Sequence, residues 1–350
     1  MPNHDMIVIG ASAGGVEALT RLVASFPSDL PAAVFIVLHI PSEGTSVLPR
    51  ILNRAGPLHA IHPVDGQVIQ PGHIYIAPPD QHLLLKHGYV HLTHGPRENG
   101  HRPAVDPLFR SAARAYGTRV IGIILSGALD DGTAGMVAIS MRGGICVVQD
   151  PNDALYPGMP QSAIDNVGID YIVPIAQMGD LVAQLSHTPV PTEEASSEIE
   201  LIELEIDMAE LDENAMQEDE HPGKPSVYGC PECGGTLWEI QEGEVFRYRC
   251  RIGHAYSAQT LLAEQADALE DALWVALRAL EESASLSSHM AERAEKRGSM
   301  HSAIKFKEQA QAAYERAEIV RHALKYGTLT LGSSEQPIGK DDPTISSAKG

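Results

Sequence analysis

Three residues at the ends of apolar runs have the types needed for nucleophilic acyl chemistry. Gly10-Ala11-Ser12-Ala13-Gly14-Gly15 has the Gly-x-Ser-x-Gly form and directly follows the apolar run Met6–Ile9. A serine on such a strand-to-helix turn presents its hydroxyl at the carboxyl edge of a sheet, and the glycines let the backbone turn tightly. The helix that follows offers N–H groups to a developing negative charge. The same corner also suits a bound phosphate or a plain structural turn, although the spacing is not Gly-x-Gly-x-x-Gly and no P-loop lysine follows. A serine nucleophile needs a base, and the base needs an orienting carboxylate. His39 closes the run Val37-Leu38-His39-Ile40-Pro41, and Asp131 lies in Ser126-Gly127-Ala128-Leu129-Asp130-Asp131-Gly132 after Val120–Leu125. Asp131 has the chemistry to hold the His39 tautomer, and its loop has N–H groups for an oxyanion. The plainer role for Asp130 or Asp131 is to cap the next helix.

A second set of residues has metal-ligand spacing. Cys230-x2-Cys233, then Cys250-x3-His254, gives Cys-x2-Cys-x16-Cys-x3-His, a closed four-ligand pattern of the kind that holds structural zinc. With four protein ligands no position is left open for catalysis by that metal. Cys146 sits within an apolar run and reads as a buried thiol.

The elements that must position these groups alternate. Apolar runs at Met6–Ile9, Ala33–Leu38, His73–Ala77, Val120–Leu125, Ile145–Gln149 and Tyr171–Val173 read as strands. Val16–Phe26, Pro107–Tyr116, Gly132–Met141 and Gly179–Leu185 read as helices, with Asp106 as the cap and Pro107 at the first position of the second. His82–Leu85 and Tyr89–Thr93 flank His87-Gly88 and read as an inserted β-hairpin. The fold class is therefore α/β, a doubly wound, mainly parallel sheet with an inserted hairpin, followed by a small zinc ribbon and a C-terminal α-helical hairpin. In a sheet of this kind Ser12, His39 and Asp131 share the carboxyl edge, where ligands bind.

Residues 1–187 form the α/β domain, 188–227 an acidic linker, 228–256 the ribbon, 257–327 the helical hairpin and 328–350 a disordered tail. The hairpin breaks near Arg297-Gly298, and its apolar stripe Leu262, Leu269, Leu273, Val275, Leu277 and Leu280 reads as packing or as an association face. The basic residues Arg293, Lys296, Arg297, Lys305 and Lys307 suit an acidic surface. The net charge of −21 argues against nucleic acid as a partner, and 13 carboxylates lie between Glu193 and Glu220 alone. Arg247, Arg249 and Arg251 alternate along one strand and read as a solvated face rather than a phosphate track. No signal peptide or span long enough for a bilayer is visible, which predicts a cytoplasmic protein without membrane insertion.

Six ordered runs carry a resemblance. Besides the three above, these are Ile76-Ala77-Pro78-Pro79-Asp80-Gln81-His82-Leu83, Arg102-Pro103-Ala104-Val105-Asp106-Pro107-Leu108-Phe109, and Gln149-Asp150-Pro151 through Gly158-Met159-Pro160. Together, over residues 5 to about 187, they resemble the catalytic domain of the CheB family of chemotaxis-receptor methylesterases. The resemblance implies hydrolysis of glutamyl methyl esters on methylated chemoreceptor signalling helices, with deamidation of glutamines in some members. It implies Ser12 as nucleophile, His39 as base and then acid, Asp131 as orienting carboxylate, and the N–H groups of Ala13 and Ala128 around the oxyanion, with no cofactor for catalysis. An oxyanion donor is worth about 3–4 kcal/mol.

Two departures stand out. Ala128 and Leu129 occupy positions where the family pattern has methionine and glycine, which alters the wall of the site. The first strand begins at residue 6, so no phosphoacceptor receiver is expected ahead of it. Regulation is then left to a partner protein acting through the C-terminal helices. Two other readings are a non-catalytic signalling scaffold and a serine esterase or amidase acting on a small molecule.

Overall fold

Seven short apolar segments pair in parallel to form the central sheet of the computed structural model, which describes residues 3–42, 44–190, 223–242 and 245–326. They are β1 (Met6–Ala11), β2 (Ala33–Leu38), β3 (His59–Ile61), β4 (His73–Ile76), β7 (Val120–Ile124), β8 (Ile145–Gln149) and β9 (Tyr171–Val173), in the order β3-β4-β2-β1-β7-β8-β9. Both faces are covered, so β1 and β2 are apolar and buried along their whole length rather than alternating with polar residues. Alternation instead divides them between two cores. Ile7 and Ile9 pack with Leu19, Leu22 and Val182 on one face, and Met6 and Val8 with Leu108, Phe109 and Ile139 on the other.

The first core is covered by α1 (Gly15–Ala24), α2 (Leu48–Ala55) and α6 (Ile175–Ser186). The second is covered by α3 (Val105–Tyr116), α4 (Thr133–Met141) and α5 (Gly158–Asn166). The sequence reading missed α2, α5 and β3, which are short. The hairpin β5 (His82–Lys86) and β6 (Tyr89–Thr93) is inserted in the chain between β4 and α3, but it forms its own two-stranded sheet and does not join the parallel one. Asp106 does not cap α3. That helix starts one residue earlier, with Ala104 in the cap position, and Pro107 stands inside its first turn.

The chain divides into two compact units, residues 1–264 and 265–350. In the first, β10 (Lys224–Gly229), β11 (Thr236–Glu242), β12 (Val245–Cys250) and β13 (Ala255–Ser257) make an antiparallel sheet. Its small core of Leu237, Tyr256 and Leu261 lies beside Cys230 and Cys250. Long helices α7 (Ala258–Lys296) and α8 (Met300–Tyr326) follow, joined at the left-handed Gly298. The helical unit differs from the sequence expectation. Its buried seam is mainly alanine, at Ala284, Ala291, Ala294, Ala303, Ala310, Ala313 and Ala317. Of the expected leucine stripe only Leu277 is buried, whereas Leu262, Leu269 and Val275 are about half exposed. Alanine allows closer approach of two helix backbones than leucine does, which leaves the larger side chains outside. Lys307 pairs with Glu295 at 2.6 Å, and Arg321 bridges Glu281 and Glu318. Among the described residues no helix is long and apolar enough to cross a membrane. The acidic run and the C-terminal tail fall on residues 191–222 and 327–350, outside the described residues.

Candidate active site

Strand β1 lies between β2 and β7, so the chain leaves the sheet centre in opposite directions on its two sides. That switch point opens a crevice at the carboxyl ends of the strands. Ser12 follows β1, His39 follows β2, and Asp131 lies on the loop after β7.

The serine turn is fixed mainly by backbone contacts. Ser12 N–H donates to Ser126 O at 3.0 Å, and Gly15 N–H donates to Ser12 O at 2.9 Å. Gly14 has φ +73°, and a Cβ there would lie 2.7 Å from the Ser126 hydroxyl. Ser126 Oγ–H donates to Ala13 O at 2.8 Å and accepts from Tyr156 N–H at 2.9 Å. Gly127 is the closest approach: a Cβ there would meet Met159 Sδ at 2.1 Å and Ser12 Cβ at 3.0 Å. The amides of Ala13 and Ala128 find no backbone acceptor among the described residues, in keeping with donors for an oxyanion.

His39 connects the other two groups. Its Nδ1 is 3.1 Å from Ser12 Oγ, and its Nε2 is 2.7 Å from Asp131 Oδ2. An ionised carboxylate only accepts, so Nε2 carries the proton and donates to Asp131, leaving Nδ1 to accept from the serine hydroxyl. Asp131 is 2% exposed. Burial works to raise its carboxyl, but the hydrogen bond and charge of His39, and donation from Val105 and Asn99, hold it well below the usual carboxylate range. Val105 N–H reaches Oδ2 at 2.7 Å, while Asp106 N–H and Asn99 Nδ2 reach Oδ1 at 3.3 and 2.9 Å. Asp131 therefore caps the distant helix α3 and not its own: α4 starts after Gly132, and its first-turn amide of Gly135 donates instead to Asp106. Asp130 turns away, to the hydroxyls of Ser257 at 2.7 Å and Thr260 at 3.0 Å.

Besides Asn99, sequence reasoning missed four neighbours. His101 stacks on His39 with ring centroids 3.7 Å apart, and burial followed by the His39 charge pushes it down to about 4. Asp106 accepts from Asn99 Nδ2 at 3.0 Å and from Gly135 N–H at 2.7 Å; burial, then the charge of Asp131, pushes it up to about 7. Buried His82 donates from Nε2 to Pro96 O at 2.9 Å and accepts from Ala104 N–H at Nδ1, which folds the 96–104 loop against the site. Its place in the Pro-Pro-Asp-Gln-His run was a signal that could have been followed. Glu98 receives Arg110 at 2.6 Å, Arg247 at 3.2 Å and Arg249 at 3.1 Å, all four side chains being buried. Arg247 and Arg249 are thus not a solvated face. They seat the ribbon against the 97–99 segment, and of the three arginines only Arg251 is exposed.

Cys230, Cys233, Cys250 and His254 converge, their ligand atoms all within 4.8 Å of one another. Each knuckle closes on a left-handed glycine: Gly234 N–H donates to Cys230 O, and Gly253 N–H donates to Cys250 O. A tetrahedral zinc with bonds of about 2.3 Å needs donors spaced roughly 3.8 Å apart. The Cys233–Cys250 sulfurs are 3.7 Å apart, and His254 Nδ1 lies 3.7 and 3.5 Å from Cys230 and Cys250. His254 Nε2 meets Glu232 at 3.1 Å, the outer partner that orients a ligating imidazole. The cluster has the donors and spacing to hold a metal ion. Cys146 stands apart, fully buried, its thiol pushed up to about 12 by burial and then by Asp170.

The α/β part of the chain is similar to known proteins. The chain is 36% identical over 190 residues to a protein-glutamate methylesterase/protein-glutamine glutaminase of Methanosarcina mazei, a match covering 52% of each chain. It is 40% identical over 177 residues to one of Rhizobium johnstonii, covering 49% of this chain and 48% of that one. The chain thus spans about half the length of these curated relatives. A putative protein-glutamate methylesterase/protein-glutamine glutaminase of Leptospira interrogans is 35% identical over 184 residues, or 52% of this chain and 95% of its own. The crystal structure of the Thermotoga maritima CheB methylesterase catalytic domain superposes with a TM-score of 0.51 at 32% identity, covering 53% of this chain and 99% of that one. The family description "CheB methylesterase" matches residues 7–182, the stretch that carries all three strand-end residues, and the chain belongs to that family.

Proposed function

We propose that the protein is a protein-glutamate methylesterase that hydrolyses glutamyl methyl esters on the signalling helices of chemotaxis-type receptors, and that it also deamidates glutamines there. The observation that carries this reading is the continuous chain Ser12 Oγ–His39–Asp131 at the switch point of the sheet. In the reaction, His39 Nδ1 takes the serine proton as Oγ attacks the ester carbonyl. The oxyanion forms beside the N–H groups of Ala13 and Ala128. The tetrahedral adduct collapses, the C–O bond to the methoxy group breaks, and the imidazolium returns its proton to release methanol. Water then attacks the acyl-serine with His39 as base, which frees the glutamate carboxylate and regenerates Ser12. Asp131, held ionised, stabilises the imidazolium in both steps. With a glutamine side chain the leaving group is ammonia and the rest is unchanged.

Structural zinc held by Cys230, Cys233, Cys250 and His254 belongs to the same proposal, as does a cytoplasmic location. When bound, the ion would cross-link the two knuckles of the ribbon. The half-exposed Leu269, Trp274 and Val275 of α7 favour a regulatory protein as a further partner. The test is mass spectrometry of a receptor-helix fragment carrying both methyl esters and glutamines, incubated with the full chain. Conversion of ester to acid supports the reading, and conversion of amide to acid supports the second activity. Hydrolysis of a simple aryl ester alone, unaffected by added receptor fragment, would replace it with a small-molecule esterase. Leu129, 39% exposed where the family pattern has glycine, would then be the first residue to examine.

A further inference from the structure

Among the described residues, Asn99 is the one whose side chain bonds both to the Asp131 carboxylate and to the ribbon. Its Nδ2 donates to Asp131 Oδ1 at 2.9 Å and to Asp106 Oδ2 at 3.0 Å, which uses both amide protons. Its Oδ1 accepts from Ser257 N–H at 2.9 Å, and its own N–H donates to Ala255 O at 2.7 Å. Ala255 and Ser257 belong to β13. The flanking residues follow the same route: Ala255 N–H donates to Arg97 O, and Glu98 is held by Arg247 and Arg249 of β12. On the other side of Asp131, the Asp130 carboxylate accepts from Ser257 and Thr260. The loops on both flanks of the relay carboxylate are therefore tied to residues 255–260.

The backbone of Asn99 is constrained as well. Its φ is +52°, in the left-handed region that a non-glycine residue keeps only when its surroundings hold it there. Two of the bonds that hold it come from β13. Without them the carboxamide regains rotation about its side-chain torsions, and Asp131 Oδ1 loses a donor in a buried place where water does not replace it.

We propose that Asn99 is a positioning residue for the hydrolytic reaction and that the ribbon, through β13, is the support that holds it. The C-terminal segment is then a working part of the active site and not a separable appendage. This rests on the reading of Ser12, His39 and Asp131 as a nucleophile relay.

The experiment uses the full chain and an alkyl fluorophosphonate, which reports the activated serine without any assumption about the natural ester. Ser12 Oγ bonds to phosphorus, fluoride leaves, and His39 takes the hydroxyl proton. Asn99→Gly keeps the left-handed backbone at no steric cost and removes only the carboxamide. Asn99→Asp keeps the acceptor for Ser257 N–H and loses both donors. The expected result is labelling slowed about a hundredfold in each variant, the size of a positioning error of roughly 1 Å, with a shifted pH midpoint. Ester turnover should fall in kcat with KM unchanged. Ser257→Pro, which leaves Asn99 itself intact, removes both the β13 N–H that donates to Asn99 Oδ1 and the hydroxyl that donates to Asp130, and should slow labelling in the same direction by less. Wild-type labelling rate and pH midpoint in Asn99→Gly would overturn the role of Asn99, and Asn99→Asp decides the matter if the glycine variant does not fold. Labelling at the wild-type rate in Ser257→Pro would overturn the role of the ribbon. Failure of the wild type to label would instead overturn the relay itself.

Discussion

Ser12 and Asp131 lie on the same sheet edge but are held by different kinds of structure. Ser12 is fixed by main-chain bonds from Ser126 and Gly15 and by the tight approach of Gly127. Asp131 is held by the first amides of α3 and, beyond them, through side chains, with Asn99 touching it directly and Glu98, Arg247 and Arg249 behind. The first arrangement joins the turns after β1 and β7 through the main chain and lies wholly within the α/β fold. The second joins segments about 150 positions apart, with Arg247 and Arg249 lying 149 and 151 residues from Glu98. Nucleophile geometry is thus a property of the parallel sheet alone, whereas carboxylate geometry also depends on a second sheet meeting it.

The largest effect should come from removing the nucleophile. Ser12→Ala is expected to lower ester turnover by roughly 10⁵- to 10⁶-fold, as in other serine relays. Metal content, read by atomic absorption, should stay unchanged, because among the described residues no hydrogen bond links the serine turn to the cysteine knuckles. Loss of both together would contradict the comparison.

Glu98→Gln strikes the other side. It leaves three buried guanidiniums without their shared carboxylate, at a cost of about 3–5 kcal/mol in denaturant unfolding. A loss below about 1 kcal/mol would mean that the arginines do not seat the ribbon.

Gly127→Ala tests the main-chain side. Its Cβ would force Met159 aside and press on Ser12. Turnover should drop about a hundredfold with little change in ribbon stability, as followed by near-ultraviolet circular dichroism.

His101 gives a pH signature. Its folded value of about 4 lies below the ordinary value of 6.5, so the unfolded chain binds the proton first as pH falls. The stability it contributes is therefore full above pH 6.5 and is lost between 6.5 and 4, by about 3 kcal/mol. His101→Phe, which keeps the stack on His39, should flatten the unfolding free energy over that window. Urea titrations at several pH values read this directly, and an unchanged slope would count against the assignment.

The smallest effect is expected at Leu129, whose φ of +59° is strained for a leucine. Leu129→Gly should raise stability by about 0.5 kcal/mol, the relief of strain slightly exceeding the added freedom of the unfolded chain.

What could be read from the sequence follows the same division. Ser12, His39 and Asp131 each close an apolar run, and a doubly wound sheet gathers such ends, so the geometry needs no knowledge of distant partners. The cysteine knuckles are equally local. Asn99, Glu98 and His101 were missed because nothing in their immediate sequence marks them, and their meaning comes from β12 and β13. Alternating arginines look solvent-facing until an acid from another sheet is brought to them, which is why Arg247 and Arg249 were misread. Asp131 was weighed as a cap for the helix after it. It does cap a helix, but α3, whose start is remote in sequence. The helical unit was misread for a related reason: periodicity marks both leucine and alanine rows, and only packing decides which one becomes the seam.

The most direct measurement is methanol release from methylated receptor signalling fragments by the full chain, with Ser12→Ala alongside. Release by the wild type and none above background by Ser12→Ala is the predicted result. Release by both proteins, or by neither when each is folded and metal-loaded, would contradict a serine-dependent methylesterase.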